Sequence, residues 1–233
     1  MTAHTIAEAF ADAAARLTRG VDQSGDLVAL LADCTALLGA ESAGLLVDVP
    51  GEGLALLSST SHATDVLELY ELQNGLGPCI QAVQDNAEVW ADRARLKEGW
   101  PPVGRAIVGA GYSAVHAFPL RWQDRAVGAL NLFLGHDGEL DEDQRRLGQA
   151  FANMAVTVLA RARPARWDEI HHRILELLGV RIAVEQAKGV LAVQNDISLS
   201  DAYTLLVATA DQRGLPLAEL ASRVLESTRP DTP

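Results

Sequence analysis

Val184-Glu185-Gln186-Ala187-Lys188-Gly189-Val190-Leu191 is the stretch on which the reading of the C-terminal region turns. It holds one of the two lysines in 233 residues; the other is Lys97, and the remaining Lys/Arg positions are all arginine. On a helix, Val180, Val184, Ala187 and Leu191 share one face, and Arg181, Glu185, Lys188 and Ala192 share the next. The first face is apolar and needs a partner. The second reads as an exposed charged stripe carrying Lys188. Gly189 borders it, and glycine in a helix interior costs roughly 0.5–1 kcal/mol relative to alanine. The expectation is that something approaches the backbone there, either another helix or a ligand. Glu185, three residues before Lys188, offers the plainer alternative of a surface ion pair worth about 0.2–0.5 kcal/mol.

Periodicity predicts only helix beyond Pro164: about 166–194, 200–213 and 216–226. Ser198 and Ser200 are candidate caps and Gly214 a stop for the second of these. Leu217, Leu220, Ala221, Val224 and Leu225 share one face of the third, and the tail 228–233 is expected to be disordered. Upstream of Pro164 lies one long helix, 141–162, with apolar positions around much of its circumference, so it needs more than one packing partner.

Earlier still, helices are predicted at 5–17 (Ile6, Phe10, Ala13 and Leu17 on one stripe) and at 26–38, the latter ending near Gly39. The first of them could pair side by side with the helix at 141–162. Strands at 42–49 and 54–60 flank the turn Pro50-Gly51-Glu52-Gly53. Helical spacing returns at Val66, Leu69, Tyr70 and Gln73 and stops at the loop 74–78. A short helix at 79–84, a brief strand at 88–91, a loop at 95–100 and a helix at 101–109 follow. Strands at 113–121 and 126–134 make a hairpin about Trp122-Gln123-Asp124.

Composition narrows the function. Nearly half the residues are hydrophobic (48%) and the net charge is −12. Residues 1–163 carry a net −9 and residues 164–233 a net −3, so neither half grips nucleic acid by bulk charge and any contact must be a local patch. No apolar run reaches the roughly 18–20 residues of a membrane span. The N-terminus bears Glu8 and Asp12 rather than a basic and apolar leader, so the expected location is cytoplasmic. Cys34 and Cys79 have no disulfide or zinc spacing and read as reduced, structural thiols.

Four motifs in order, Leu76-Gly77-Pro78-Cys79, Gly99-Trp100-Pro101, Phe118-Pro119-Leu120 and Gly128-Ala129-Leu130-Asn131-Leu132-Phe133, make residues 22–162 resemble a GAF domain of the actinobacterial sensor type. The resemblance implies an α+β domain with a mostly antiparallel sheet flanked by helices, one sheet face turned to a small-molecule pocket. Its ligand-binding candidates are Tyr70, Cys79, Trp90, Trp100 and His116, which are otherwise ordinary core aromatics and a core thiol. Cys79 as an oxidant sensor would need exposure and a lowered pKa. No cofactor is evident, and an unidentified small molecule remains the open ligand. There is no nucleophile elbow, phosphate-cradling glycine loop or metal-ligand cluster, and Asp92 with His116 is too sparse for a metal site. No catalytic residue is assigned, and the protein is not expected to be an enzyme.

The stretch Arg181-x-x-x-Glu185-Gln186-Ala187-Lys188-Gly189-Val190-Leu191, followed by Ile197-Ser198-x-Ser200-Asp201-Ala202-Tyr203-x-Leu205-Leu206 and Leu217-Ala218-Glu219-Leu220-Ala221, resembles an ANTAR domain. That family is an all-α, three-helix RNA-binding module of bacterial antitermination regulators. The resemblance implies binding of paired hairpins in a nascent leader RNA by a homodimer, so that transcription continues past a terminator. Ala187, Ala202 and Ala221 match the small residues between helices. Lys188 and Gly189 match the RNA-facing motif, and Tyr203 matches an aromatic position open to either RNA stacking or helix packing. Arg181, Gln186 and Arg213 are the supporting contacts.

The expected organisation is a GAF sensor and dimerisation domain over 1–163 and an ANTAR domain over 164–233, with RNA and a second copy as partners and no membrane. Many ANTAR members are basic where Val207 to Asp211 stand, and Asp211 and Glu219 would repel phosphate. That departure keeps an alternative open: a dimeric GAF sensor acting through protein contacts, with RNA binding lost. DNA is not expected, since 216–226 offers only Arg223 as a basic recognition side chain.

Overall fold

The computed structural model describes residues 5–19, 22–49, 51–160 and 167–228. Pro50, the junction at Pro164 and the tail 229–233 lie outside the described residues, as does the side chain of Leu17. Five antiparallel strands form one sheet in the order β2-β1-β5-β4-β3. They are β1 (Ser42–Val49), β2 (Gly53–Ser59), β3 (Val89–Asp92), β4 (Ala114–Trp122) and β5 (Arg125–Leu134). Both faces are covered, so the central strands read as nearly continuous apolar runs instead of alternating.

Ala43, Leu45, Val47, Phe118, Leu120, Leu130 and Leu132 point to one face, against α2 (Gln23–Leu38) and α7 (Glu142–Ala160). A side chain at Gly148 of α7 would collide with the Phe118 ring, so this glycine sets how closely α7 lies on the sheet. The Phe10 ring of α1 (Ile6–Arg19) meets Phe151 of α7 with centroids 5.3 Å apart, the expected contact between these two helices. The other face lies under α3 (His62–Asn74), α4 (Pro78–Asp85), α5 (Arg93–Gly99) and α6 (Pro101–Gly109).

Two expectations need correction. Residues 93–99 form a helix, not a loop: Asp92 accepts the Arg95 amide at 2.8 Å as its N-cap, and Leu96 is buried beneath it. On α3 the apolar stripe is turned outward. Val66, Leu69 and Tyr70 are exposed, while Asp65, Glu68 and Glu71 are buried. The inward polar face is where the site lies.

The C-terminal helices are α8 (Trp167–Asn195), α9 (Leu199–Arg213) and α10 (Leu217–Glu226). Ile170, Ile174 and Leu177 of α8 join the sheet's core, whereas Val184 and Ala187 join Leu206, Ala210, Leu217, Leu220 and Ala221 in a second core. Ala187, Ala202 and Ala221 are completely buried, which lets the three helices approach closely. Ser198 caps α9 through the Asp201 amide, and Gly214 ends it in the left-handed conformation. No helix among the described residues is long and apolar enough to cross a membrane.

Candidate functional site

Helix α8 crosses from one core to the other and lays Arg181 and Lys188 against α3. Lys188 is 1% exposed, so the charged stripe carrying it is a buried contact and not a solvent-facing one. Helical arithmetic places Arg181 and Lys188 together correctly; it cannot say what faces them. An unpaired ammonium in this position would cost several kcal/mol. Here Lys188 Nζ lies 2.6 Å from Glu185 Oε2, 3.3 Å from Asp65 Oδ2 and 3.4 Å from His62 Nδ1, and 5.8 Å from the centre of the Tyr203 ring. Arg181 Nη2 reaches Asp65 Oδ1 at 2.9 Å and Glu185 Oε1 at 3.7 Å.

Asp65 is the hub. Besides both cations it accepts the Ser59 hydroxyl at 2.5 Å. Burial pushes its carboxyl upward, but Arg181, the Ser59 hydrogen bond and Lys188 outweigh burial and hold it below the usual carboxylate range. The Tyr203 hydroxyl donates to the Ser59 carbonyl at 3.0 Å, and burial, then the neighbouring Asp65, raise its pKa. The space left between Val28 of α2, Arg181 and Val184 of α8 and Tyr203 is about 30 Å3, room for a water and not for a base.

A second contact pins the other end of the helical unit. Asp22 Oδ1 accepts the Gly25 amide as the cap of α2, while Oδ2 accepts the Leu217 amide at 2.8 Å. The N-cap residue of α10, Pro216, provides no side-chain cap of its own. One aspartate thus closes two helices across the two cores.

The six RNA candidates therefore divide. Arg181, Lys188 and Tyr203 converge on Asp65 and Ser59, whereas Gln186 and Arg213 are exposed elsewhere. A Cβ on Gly189 would meet nothing within 4 Å, so no close approach within this chain accounts for that glycine.

The five ligand candidates do not share one pocket either. Tyr70 is exposed on α3. Trp90 and Trp100 line a cleft of about 280 Å3 at the β3 edge, with Gln81, Glu88, Arg95 and Arg145. His116 is fully buried beside Phe118, its Nε2 accepting the Leu140 amide at 3.2 Å and its Nδ1 lying 3.5 Å from Glu88. Burial raises the Glu88 carboxyl, yet His116 and Arg145 bring it below its ordinary value.

Cys79 is fully buried at the start of α4, far from the exposure an oxidant sensor needs, and burial followed by Glu71 and Glu68 raises its thiol pKa. Beside it, Glu71 Oε1 accepts the Cys79 amide at 2.9 Å, capping α4 from eight residues earlier. Glu68 takes both oxygens to Asn131 Nδ2, at 2.8 and 2.9 Å. Side chains at Gly44 and Gly77 would collide with Glu68 and Glu71 respectively, so these two glycines make the room for the carboxylates. Burial, then Glu71, holds Glu68 well above the usual carboxylate range, and burial pushes Glu71 up to about 7. Asp65, Glu68 and Glu71 recur every three residues on one face of a helix. That spacing was the available signal for this cluster, hidden by the more conspicuous apolar stripe beside it. Asp22 carried no signal, and Asn131 stood out only as a member of the 128–133 motif, with nothing to mark it as a partner of Glu68.

A search of the curated proteins gives no match. The profile of the GAF domain matches residues 5–160, and that of the ANTAR domain matches residues 176–225. Among solved structures, the GAF domain of a phosphoenolpyruvate-protein phosphotransferase from Coxiella burnetii is 14% identical with a TM-score of 0.53, covering 70% of this chain and 97% of that one. The GAF domain of an Acinetobacter phosphoenolpyruvate-protein phosphotransferase is 8% identical with a TM-score of 0.52, over 69% and 96%. The phycocyanobilin-bound GAF domain of a cyanobacterial phytochrome is 14% identical with a TM-score of 0.50, over 66% and 93%. At these identities the likeness is one of fold.

Proposed function

The chain belongs to the GAF family, with an ANTAR domain following, and from that premise we propose that it is a cytoplasmic, homodimeric antitermination regulator whose RNA-binding face is withheld by its own sensor domain. GAF domains are sensor modules and ANTAR domains are RNA-binding antitermination modules; neither is catalytic, and the chain is not an enzyme. The observation that carries the reading is the double ion pair from Asp65 of the sensor to Arg181 and Lys188 of the ANTAR-matching helix. The charges of Arg181 and Lys188 are matched by Asp65 and Glu185, leaving no net positive potential there for phosphate. Undocking frees Arg181, Lys188 and Tyr203 together, giving two cations and an aromatic ring suited to an unstacked loop base. The sensor and RNA then compete for one face, which is how a signal and a transcript become linked.

Leu175, Gly179, Ile182, Gln186, Gly189 and Val193 fall on one stripe of α8, and Leu175, Ile182 and Val193 are exposed at 43%, 59% and 85%. Two glycines on an exposed apolar stripe suit close packing of a second α8 in a dimer, matching two ANTAR domains to two hairpins.

The test is a titration of the purified protein against paired-hairpin and single-hairpin RNA at two salt concentrations. The reading expects a preference for the paired RNA that weakens with salt. Equal affinity for both RNAs sinks it in favour of a sensor acting through protein contacts.

A further inference from the structure

Glu68, Glu71 and Cys79 bring one oxygen each from two carboxylates and one sulfur within 4.8 Å of one another, all three buried. Two carboxylates set this close in an apolar interior repel each other whenever both are ionised, and a bound cation would relieve that repulsion. Hydrophobic neighbours enclose them: Leu46, Leu56, Ala129 and Leu72 surround Cys79. Asn131 adds an independent sign. It is 0% exposed, it faces Gly44 across the β1–β5 ladder, its amide is turned onto Glu68, and its Oδ1 has no hydrogen-bond partner. As the side chain stands, Nδ2 and not Oδ1 faces Glu68; a half-turn of the amide would bring the unpartnered Oδ1 to the carboxylates, an approach that a cation between them makes favourable.

We propose that Glu68, Glu71, Cys79 and Asn131 form a binding site for a divalent first-row transition ion in the sensor domain. The donor set of one thiolate, two carboxylates and an amide oxygen favours a borderline ion of the zinc or cobalt kind over magnesium or calcium, which take oxygen alone. Zinc bonds of about 2.0–2.3 Å put tetrahedral donors about 3.3–3.8 Å apart, so the donors must close by about 1 Å. Binding replaces the Cys79 thiol proton and whatever proton the two glutamates hold, and these protons leave to solvent. No electron is transferred. The inference deepens the sensor half of the proposed function by naming the class of signal. Helix α3 carries Glu68 and Glu71 and, one turn earlier, the Asp65 that holds α8, so the site and the interdomain contact share one rigid element.

The experiment uses the full chain, stripped of metal by chelator, then dialysed overnight against Co2+ or Zn2+ and freed of excess. The expected result is one ion per chain by elemental analysis, a thiolate-to-cobalt charge-transfer band in the near ultraviolet, and loss of both in Cys79→Ser. That variant leaves the Glu71 cap on α4 in place, so it serves where Glu71→Gln fails to fold. No retained ion in the folded wild type overturns the proposal, and so does a full complement in Cys79→Ser. Because RNA takes no part, failure here leaves the antitermination reading standing, and a failed RNA titration leaves the metal result standing.

Discussion

Replacing Asp65 by alanine removes the carboxylate shared by Arg181 and Lys188 and leaves Glu185 to serve both. Breaking a buried ion pair by removing one partner costs about 3–5 kcal/mol. Lys188 keeps its 2.6 Å contact to Glu185, so the lower end, about 3 kcal/mol, is the expected loss. At about 1.4 kcal/mol per tenfold, docking of α8 on α3 weakens roughly 150-fold. A face open in about one molecule in a hundred binds with an apparent Kd about a hundredfold above its intrinsic value. Asp65→Ala should therefore tighten binding of paired-hairpin RNA by roughly two orders of magnitude, read by fluorescence anisotropy at fixed salt. Tyr203→Phe keeps the ring but gives up the hydrogen bond to Ser59. At about 0.5–1.5 kcal/mol it should tighten binding by roughly 2- to 12-fold. A folded Asp65→Ala protein that binds RNA no better than wild type, with its α8 amides demonstrably less protected, would refute the reasoning.

Lys188→Ala should both lower the melting temperature and abolish the RNA gain when placed on Asp65→Ala, because the residue serves the closed contact and the open face in turn; a double variant that still binds tightly would remove Lys188 from the RNA contacts. Asp22→Ala removes the caps of α2 and α10 at about 1 kcal/mol each, and calorimetry should show a melting temperature lower by about 4–8 °C, with α10 more open to protease. The lowered Asp65 pKa gives stabilisation that is complete above the unfolded value of about 3.9 and lost as pH falls through the folded one. The melting difference between wild type and Asp65→Asn should thus be flat from about pH 7 to pH 5 and shrink below about pH 4; a difference that changes near neutrality contradicts the assignment. Gly148→Ala should cost about 1–3 kcal/mol by overpacking against Phe118. Gly189→Ala, meeting open space, should instead stabilise the monomer by roughly 0.5–1 kcal/mol while weakening dimers in sedimentation, and unchanged dimerisation would remove Gly189 from the dimer stripe.

Much of the architecture was legible because it is local. Gly39 and Gly214 stop α2 and α9 where left-handed termini are required, and Ser198 caps α9 through a bond three residues long. The hairpin about Gln123 and the motif order along the chain were equally open to reading. Residues 93–99 were not, since a seven-residue helix has too few positions for periodicity and depended on the Asp92 cap. The inversion of α3 had a different cause. Hydrophobic spacing locates an apolar stripe but assumes that it faces inward, and here Gly44, Gly77 and Asn131 make the interior accept Glu68 and Glu71 instead. Lys188 was misplaced for the same reason. Glu185, the local partner that the spacing named, does pair with Lys188, but the second counter-charge is Asp65, 123 residues earlier, and no local rule reaches that far.

In the proposed mechanism, sensor and RNA compete for the face of α8 that carries Arg181 and Lys188. Hydrogen exchange of the full chain with and without saturating paired-hairpin RNA tests it most directly. RNA binding should raise exchange in the first turn of α3, around His62 and Asp65, as α8 leaves it, while residues 181–191 stay protected by RNA. Tight RNA binding with the α3 amides as protected as in the free protein would contradict it.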